Sequence, residues 1–492
     1  MADDMGFSDL GCYGGEVETP HLDRLAAGGV RFSQFYNTGR CCPTRASLLT
    51  GLYSHQAGVG HMTGDDGHRG YRGALNSRCR TIAEVLRPAG YFTAVSGKWH
   101  VGSGDGERPL QRGFDRFYGV AEGGGFYYQL KKGRTIRLDD EVVASFPDNP
   151  LPDDWYSTDA WTEFGIRFID EALAEGKPFF LYLAHNAPHF PLEAPPDLVE
   201  KYRGRYQQGW DALREERHAR QLADGLFARP WDLSARAEPA PAWESLTARQ
   251  HGRLDHRMAA YAATIDAMDQ SVGRLIAALE GRGILGETLV IFLSDNGASP
   301  EGGILGKAHP DKPVGSAGSE VFAGTAWANA SNTPFRYYKS RVHEGGTATP
   351  LIAHWPAGIA VPGRTNAHLG HVIDLLPTLA DLAGAPYPED ALPPEGQSLV
   401  PTLVGDAAPP PPRTLFWEHE GNRAVRDGDW KLVALKGKPW ELYHLAEDRT
   451  ERDDLAASHP GRVATMEEAY QAWAERCGVL PFDLVKMRNP PD

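Results

Sequence analysis

Short, wholly apolar runs that end in polar residues are the feature that most constrains the fold of this chain. YFTAVS is followed by Gly97 and Lys98, PFFLYLA by His185, and LVIFL by Ser294 and Asp295. Strands that are apolar throughout are buried on both faces, as in the sheets of α/β proteins. We therefore predict an α/β fold with a large, mostly parallel sheet covered by helices on both faces.

Helical periodicity separates these runs. Residues 258–282 repeat apolar side chains three and four positions apart, and residues 158–175 carry a second amphipathic pattern. Thr81 and Glu84 have the spacing of a capping box ahead of a shorter helix. The carboxyl ends of the strands between these helices are expected to meet at one edge of the sheet, which is where ligands bind in open α/β sheets.

The composition changes at GDAAPPPPR, a run typical of a stiff linker. Behind it, RTLFWEHE, NRAVRDGDWKLVAL and WELYHL predict short antiparallel strands, and a helix is expected at residues 460–476. We predict an α/β domain at residues 1–405 and a smaller C-terminal domain, antiparallel sheet plus helix, at residues 406–492. Residues 201–250 are interpreted as an excursion over the sheet.

Aromatic residues in and before that excursion have two interpretations. They could wall a cleft that receives a ring, or they could be ordinary core residues. The residues concerned are Trp155, Tyr156, Trp210, Trp231 and Trp243.

The charge balance limits the partners. Lys and Arg total 50 against 65 Asp and Glu, a net charge of −15, which argues against a nucleic acid held by surface cations. The apolar runs are far shorter than a membrane span. Five dispersed cysteines make no disulfide framework and no zinc-like pairing with histidines. We expect a soluble protein of the cytoplasm or periplasm, without a nucleic-acid or membrane partner; its oligomeric state stays open.

The first segment, MADDMGFSDLG, places Asp3 and Asp4 two residues from the start of the sequence. Carboxylates that act in an open α/β sheet lie just past the carboxyl end of a strand. We therefore expect codons upstream of Met1 to encode an apolar strand, with room for a targeting segment before it. An in-frame stop codon directly upstream would contradict this expectation.

Two adjacent cysteines occur in GRCCPTRASLLTG, where Pro43 suits the first turn of a helix and Gly51 its end. Free backbone N–H groups and the helix dipole favour anions there and acidify a thiol. Arg45 follows Cys41 by one helical turn and adds a permanent cation to the same face. The pattern has two interpretations: an acidified thiol beside an anion site, or two small residues that cap a buried helix.

CCPTRASLLTG resembles the signature of the type I sulfatases of the alkaline phosphatase superfamily, in which the first cysteine is oxidised to formylglycine. The spacing to Pro43 and Arg45 assigns that role to Cys41 and leaves Cys42 as the variable position. Segments in the family's order extend the resemblance over nearly the whole chain: ADDMGFSDLGCYG, GYFTAVSGKWHVG, APHFP, LVIFLSDNGA, YYKSRVHEGG, GDWKLV and ELYHL.

The resemblance implies a role for each matching residue. A divalent cation, calcium with magnesium as the alternative, would be held by the modified Cys41 and by oxygen ligands; those ligands are Asp3, Asp4, Asp295 and Asn296. Arg45, Lys98 and Lys339 would be the cations that bind sulfate. His100 would be the base that releases sulfate, and His189 would assist the leaving group. No role is implied for His185 or His343.

The implied activity is hydrolysis of sulfate monoesters, with one hydroxyl of the hydrated aldehyde attacking sulfur and the other expelling sulfate. The implied partners are a small sulfate ester, which could be aryl, carbohydrate or another type, and a formylglycine-generating or other sulfatase-maturing enzyme. Two alternatives stay open: a phosphonate or phosphodiester hydrolase of the same superfamily, and an inactive homologue that binds sulfate esters with Cys41 unmodified.

Overall fold

Helices and short strands alternate through most of the chain, as the periodicity predicts. The computed structural model describes residues 1–148, 150–405 and 413–485. Its helices are α1 (Pro20–Ala27), α2 (Cys41–Thr50), α3 (Ser54–Ala57), α4 (Ile82–Leu86), α5 (Ser157–Ala174), α6 (Pro196–Tyr202), α7 (Gly209–Ala223), α8 (Ala248–Gly281), α9 (Thr325–Ser331), α10 (Glu344–Thr347), α11 (Leu375–Ala383), α12 (Val400–Val404) and α13 (Pro460–Cys477). Across these described ranges, none of the helices combines the length and apolarity needed to cross a lipid bilayer.

The strands form three sheets. They are β1 (Val30–Tyr36), β2 (Phe92–Lys98), β3 (Arg116–Val120), β4 (Thr135–Leu138), β5 (Glu141–Ser145), β6 (Phe179–Ala184), β7 (Val290–Leu293), β8 (Ala348–His354), β9 (Arg364–Asn366), β10 (Gly370–His371), β11 (Thr414–His419), β12 (Asn422–Asp427), β13 (Trp430–Ala434) and β14 (Glu441–His444). One sheet has the order β5-β4-β3-β2-β6, and a second has β10-β1-β8-β7 with β9 also paired to β1.

The predicted α/β class is confirmed, and the sheets are mixed. β2 runs parallel to β3 and β6, but β8 is antiparallel to both of its neighbours, β1 and β7. A strand buried on both faces has the same apolar pattern in either direction. The pattern therefore predicts the strands but not their directions.

Met1 and Ala2 join the two larger sheets. The amino group of Met1 donates to the carbonyl of Leu183, and the amide of Ala2 donates to the carbonyl of Leu293 at 2.8 Å. His185 and Asp295 donate back to Met1 and Ala2, so the pair is hydrogen-bonded on both sides. Asp3 and Asp4 consequently lie past the carboxyl ends of β6 and β7.

An apolar groove of about 510 Å³ continues from Met1 between β6 and β7. Its walls include Phe180, Ile291 and Leu293, together with side chains of the covering helices. The strand expected upstream of Met1 stays a prediction.

The long helix α8 begins ten residues before the predicted start, with Thr247 as its N-cap in a capping box with Gln250. It packs against α1, α5 and α6. Trp210 and Trp243 are buried in the core, with ring centroids 4.8 Å apart. Four of the five candidate aromatic residues are buried and Trp231 is partly buried, which favours the interpretation as core residues.

The C-terminal unit is a four-stranded antiparallel sheet in the order β11-β12-β13-β14, against which α13 packs, as predicted. It contacts the α/β part directly: Nε1 of Trp417 donates to the carbonyl of Asn37 at 2.8 Å, and His55 pairs with Glu418. The predicted linker falls largely on residues 406–412, outside the described residues, so the boundary at residue 405 stays a prediction.

Candidate active site

The sheet topology brings the predicted polar residues to one edge. Lys98 is the last residue of β2, and Asp295 lies two residues after β7. Asp3 and Asp4 follow the row of hydrogen bonds made by Met1 and Ala2. All four side chains are fully buried. The carboxyl ends of the strands therefore supply a compact cluster of charge.

Helix α2 presents the two cysteines to this cluster. The helix begins at Cys41, so both thiols lie in its first turn, and Gly51 ends it in the left-handed conformation with φ 68°. Sγ of Cys42 lies 3.2 Å from Nε2 of His100 and 3.8 Å from Sδ of Met62. Cys42 donating to Cys41, together with the positive charge of Lys98, lowers the pKa of the Cys41 thiol well below its usual range. Cys41 is thus the acidic member of the pair.

Hydrogen bonds hold the guanidinium of Arg45 in a fixed position. Nε and Nη2 both donate to Oδ2 of Asp295, at 3.1 and 2.8 Å, and Nη1 donates to the carbonyl of Lys98 at 2.8 Å. Nη2 also lies 3.6 Å from Asp3. A buried guanidinium with this many fixed partners is a permanent positive charge at a defined position.

Two lysines complete the positive charge. Nζ of Lys98 lies 2.6 Å from Oδ2 of Asp3, and Nζ of Lys339 lies 2.7 Å from Oδ1 of Asp4. Burial alone would lower the pKa of Lys339, but Asp4 and Glu301 outweigh burial and raise it. Both lysines are therefore held as cations inside the protein.

The oxygen atoms around these cations could hold a divalent metal ion. Oδ1 of Asp3 and Oδ1 of Asn296 are buried and have no hydrogen-bond partner among the described residues. Nδ2 of Asn296 donates to Oδ1 of Asp4 at 2.7 Å, which places the amide beside the carboxylates. The donor set of Asp3, Asp4, Asp295 and Asn296 is all oxygen, which suits calcium or magnesium. An unpartnered buried carboxylate oxygen is costly unless a cation or donor reaches it.

His100 has a strained backbone and a neutral ring. Its φ is +60°, and Gly123 packs so closely that a Cβ there would lie 2.2 Å from the imidazole. Burial, and then the charge of Lys98, lowers the pKa of His100 to about 4. The ring is therefore a proton acceptor at neutral pH, with Nε2 directed at the cysteine pair.

His189 is one of the residues that line an open cleft. Its Nδ1 lies 2.5 Å from the carbonyl of Phe190, so Nδ1 carries the hydrogen and donates. Its Nε2 lies 3.6 Å from Oδ2 of Asp4. Nε2 is thus the ring nitrogen that faces the carboxylate of Asp4, one of the candidate metal ligands.

The cleft that His189 lines has a volume of about 1360 Å³, and its walls carry more cationic than anionic side chains. Seven cationic side chains line it against four carboxylates, although the whole chain carries a net charge of −15. The cations are Arg69, Arg72, Arg78, Lys131, Lys132, Arg134 and Lys307. This feature could not be predicted from the sequence, because the residues come from separate segments.

Two further residues of the site were missed. Glu301 lies 3.8 Å from Lys339 and 3.4 Å from Arg40, and these cations lower its pKa to about 2 despite burial. Nη1 of Arg40 also donates to Oγ of Ser340 at 2.7 Å. Glu301 thereby connects the residue before Cys41 to the segment that carries Lys339. Its position six residues after Asp295 was the one available signal.

Comparison with known proteins identifies the family of the chain. The family profile described as Sulfatase matches residues 1–385, and that of the C-terminal part of N-sulphoglucosamine sulphohydrolase matches residues 334–468. An uncharacterized sulfatase of Schizosaccharomyces pombe is 33% identical over 99% of this chain and 94% of its own length. The arylsulfatase of Klebsiella aerogenes is 36% identical over 78% of this chain and 85% of its own.

A solved structure has the same fold. The structure of Ps i-CgsB in complex with k-i-k-neocarrahexaose superposes with a TM-score of 0.71 at 26% identity, covering 96% of this chain and 91% of that one. Family profiles and relatives thus span both the α/β part and the C-terminal sheet. The chain belongs to the sulfatase family, as a type I sulfatase of the alkaline phosphatase superfamily and a sulfuric ester hydrolase.

Proposed function

We propose that this sulfatase acts through a formylglycine made from Cys41, with a divalent cation bound beside it. The supporting observation is the burial of an acidified Cys41 within the electrostatic reach of Arg45, Lys98 and Lys339. The cysteine is converted by a separate maturing enzyme. A hydrated formylglycine supplies one hydroxyl to attack sulfur and a second whose deprotonation releases sulfate.

Asp3, Asp4, Asp295 and Asn296 would hold the cation. Calcium is the ion we propose, because the donors are all oxygen and because calcium tolerates irregular geometry. The bound ion supplies positive charge that reduces the repulsion between the nucleophile and the sulfate oxygens. The free oxygen atoms of Asp3 and Asn296 support this assignment.

The fixed cations bind the sulfate group. Arg45 keeps its position through Asp295, and the two lysines keep theirs through Asp3 and Asp4. Because these charges are already oriented, no reorganisation is needed as negative charge shifts toward the leaving oxygen. They favour the transition state over the free ester.

The two histidines move protons on opposite sides of sulfur. His100, neutral at working pH, accepts the proton whose removal releases sulfate. His189, with Nδ1 donating to a carbonyl, has Nε2 available to deliver a proton to the leaving oxygen. Lys339 lies within 5.2 Å of the Phe190 ring next to His189 and supports the same oxygen.

The cleft supports an anionic carbohydrate sulfate as the substrate, in preference to a small aryl ester. Its excess of cations matches a substrate with negative groups beyond the scissile sulfate, and it concentrates such a substrate on an otherwise acidic protein. The 26% identical Ps i-CgsB structure has k-i-k-neocarrahexaose bound, which agrees with an extended ligand.

Mass spectrometry and kinetics test the proposal. After co-expression with a formylglycine-generating enzyme, the peptide that contains residue 41 should lose about 18 Da as the thiol becomes an aldehyde. The modified protein should hydrolyse nitrophenyl sulfate faster than a nitrophenyl phosphodiester. Preference for the phosphodiester would favour the phosphodiesterase alternative, and an unmodified peptide in active protein would refute the formylglycine.

Removal of the metal provides a second test. Chelation should abolish turnover, and calcium should restore it better than magnesium. Activity that survives complete chelation would contradict the proposed cation.

A further inference from the structure

A second group of metal-type ligands lies at the junction between the α/β part and the C-terminal sheet. His61 belongs to the segment after α3, where Val59 forms a bridge with Tyr71. His419 is the last residue of β11, and Glu420 is in the turn that leads to β12. The proposed active site uses none of these three residues.

The ligand atoms of the group lie close enough together to reach one ion. Nδ1 of His61 lies 3.7 Å from Oε1 of Glu420, and Nε2 of His419 lies 3.6 Å from the same oxygen. All three ligand atoms lie within 4.8 Å of one another. Zinc–nitrogen and zinc–oxygen bonds of about 2.0–2.1 Å separate two ligand atoms of a tetrahedral site by about 3.3 Å. Small movements of the side chains would therefore bring the three ligand atoms to bonding distance from one ion.

The environment favours occupation of the site. His419 is fully buried, and neither of its ring nitrogens has a hydrogen-bond partner among the described residues. A buried imidazole without partners carries an energetic cost that a metal ion removes. Glu420 has φ +53°, a left-handed conformation that is uncommon for glutamate. Its side chain is 27% exposed, which leaves one side open to water.

We propose that His61, His419 and Glu420 bind a zinc ion, with water as the fourth ligand, and that the ion links the C-terminal sheet to the α/β part. Two imidazoles and a carboxylate suit zinc and do not suit calcium. The site is separate from the oxygen cage of the active site and differs from it in ligand chemistry.

The proposed zinc site is connected to the active site at both ends. His61 precedes Met62, whose sulfur lies 3.8 Å from Cys42 and 3.5 Å from Nε of Arg40. On the other side, Nδ2 of Asn422 donates to the carbonyl of Ser340, the neighbour of Lys339. Zinc would therefore stabilise the positions of the residues around Cys42 and of the segment that carries Lys339. The ion itself would not contact the substrate.

Cobalt(II) as a spectroscopic probe tests the inference. The tag-free, full-length protein, with Cys41→Ala and Cys42→Ala to remove thiol ligands and with calcium present to fill the oxygen cage, is titrated with Co²⁺. We expect one equivalent to give the intense visible absorption of a tetrahedral site and Zn²⁺ to displace it. His419→Gln and Glu420→Gln should each lose this absorption.

A matched control is His185→Gln, since His185 is equally buried with both ring nitrogens unpartnered in the described residues but belongs to no ligand group there. It should keep the tetrahedral spectrum. Thermal melts with and without Zn²⁺ provide a second measurement, in which zinc should raise the Tm of the parent and of His185→Gln but not of Glu420→Gln. Absence of a tetrahedral spectrum in the parent, or its survival in His419→Gln and Glu420→Gln, would overturn the inference.

Discussion

The ammonium group of Lys339 contacts both carboxylate oxygens of Asp4, at 2.7 and 2.8 Å, across 335 residues of sequence. This contact ties the last of the predicted cations to the first segment of the chain. Two consequences follow: Lys339 is fixed before substrate arrives, and the charge of Asp4 is already partly balanced.

Removal of Lys339 should therefore reduce catalysis more than folding. In Lys339→Ala we expect kcat to fall roughly 10²–10³-fold, as for the loss of one preorganised donor to developing charge. Lys339→Arg should recover part of the loss. The control is Lys312→Ala, an exposed cation on a loop away from the cluster. Equal kcat in Lys339→Ala and the control would show that Lys339 does not contact the reacting group.

The two cysteines should respond differently to substitution. Cys41→Ala is expected to abolish turnover, because the aldehyde precursor is gone. Cys42→Ala should only weaken turnover, because Cys42 contacts His100 and Met62 without carrying the reaction. Steady-state rates on nitrophenyl sulfate distinguish the two outcomes. Equal losses of turnover in the two variants would contradict the assignment of the modification to Cys41.

Substitutions in the cationic cleft should weaken the hydrolysis of anionic carbohydrate sulfates selectively. Lys132→Ala combined with Arg134→Ala is expected to raise KM for a multiply sulfated oligosaccharide about 5–20-fold, from weak screened interactions at two positions. The rate on nitrophenyl sulfate should stay close to that of the parent. The oligosaccharide KM of the parent should also rise with ionic strength. A similar change for both substrates would indicate damage to the site itself.

His185 should make stability depend on pH. Burial, and then the nearby amino group of Met1, lowers the pKa of His185 to about 3, against about 6.5 in the unfolded chain. The unfolded state therefore binds the extra proton between these values, and stability is lost as pH falls below about 6.5.

Between pH 7 and pH 5 this group should remove about 2 kcal/mol from the free energy of unfolding. Urea unfolding of the parent and of His185→Gln at both pH values measures the difference. Other titrating groups are common to both proteins and cancel. Parallel pH dependence in the two would contradict the assignment.

Local patterns predicted much of the fold. Residues close together in the sequence determine the capping box at Thr81, the end of α2 at Gly51 and the long helix α8. The direction of β8 is not, because pairing partners far along the chain determine it. The ten predicted site residues could be proposed from the sequence because each follows a strand end or belongs to a recognisable motif, and their roles stay predictions. Glu301 and the cleft cations could not, since their role depends on neighbours distant in sequence.

Met1 is hydrogen-bonded to β6 and Ala2 to β7, so the junction between the two larger sheets has a consequence for the site. The two residues that hold β6 to β7 directly precede Asp3 and Asp4, so any change that loosens this junction would also displace the two carboxylates.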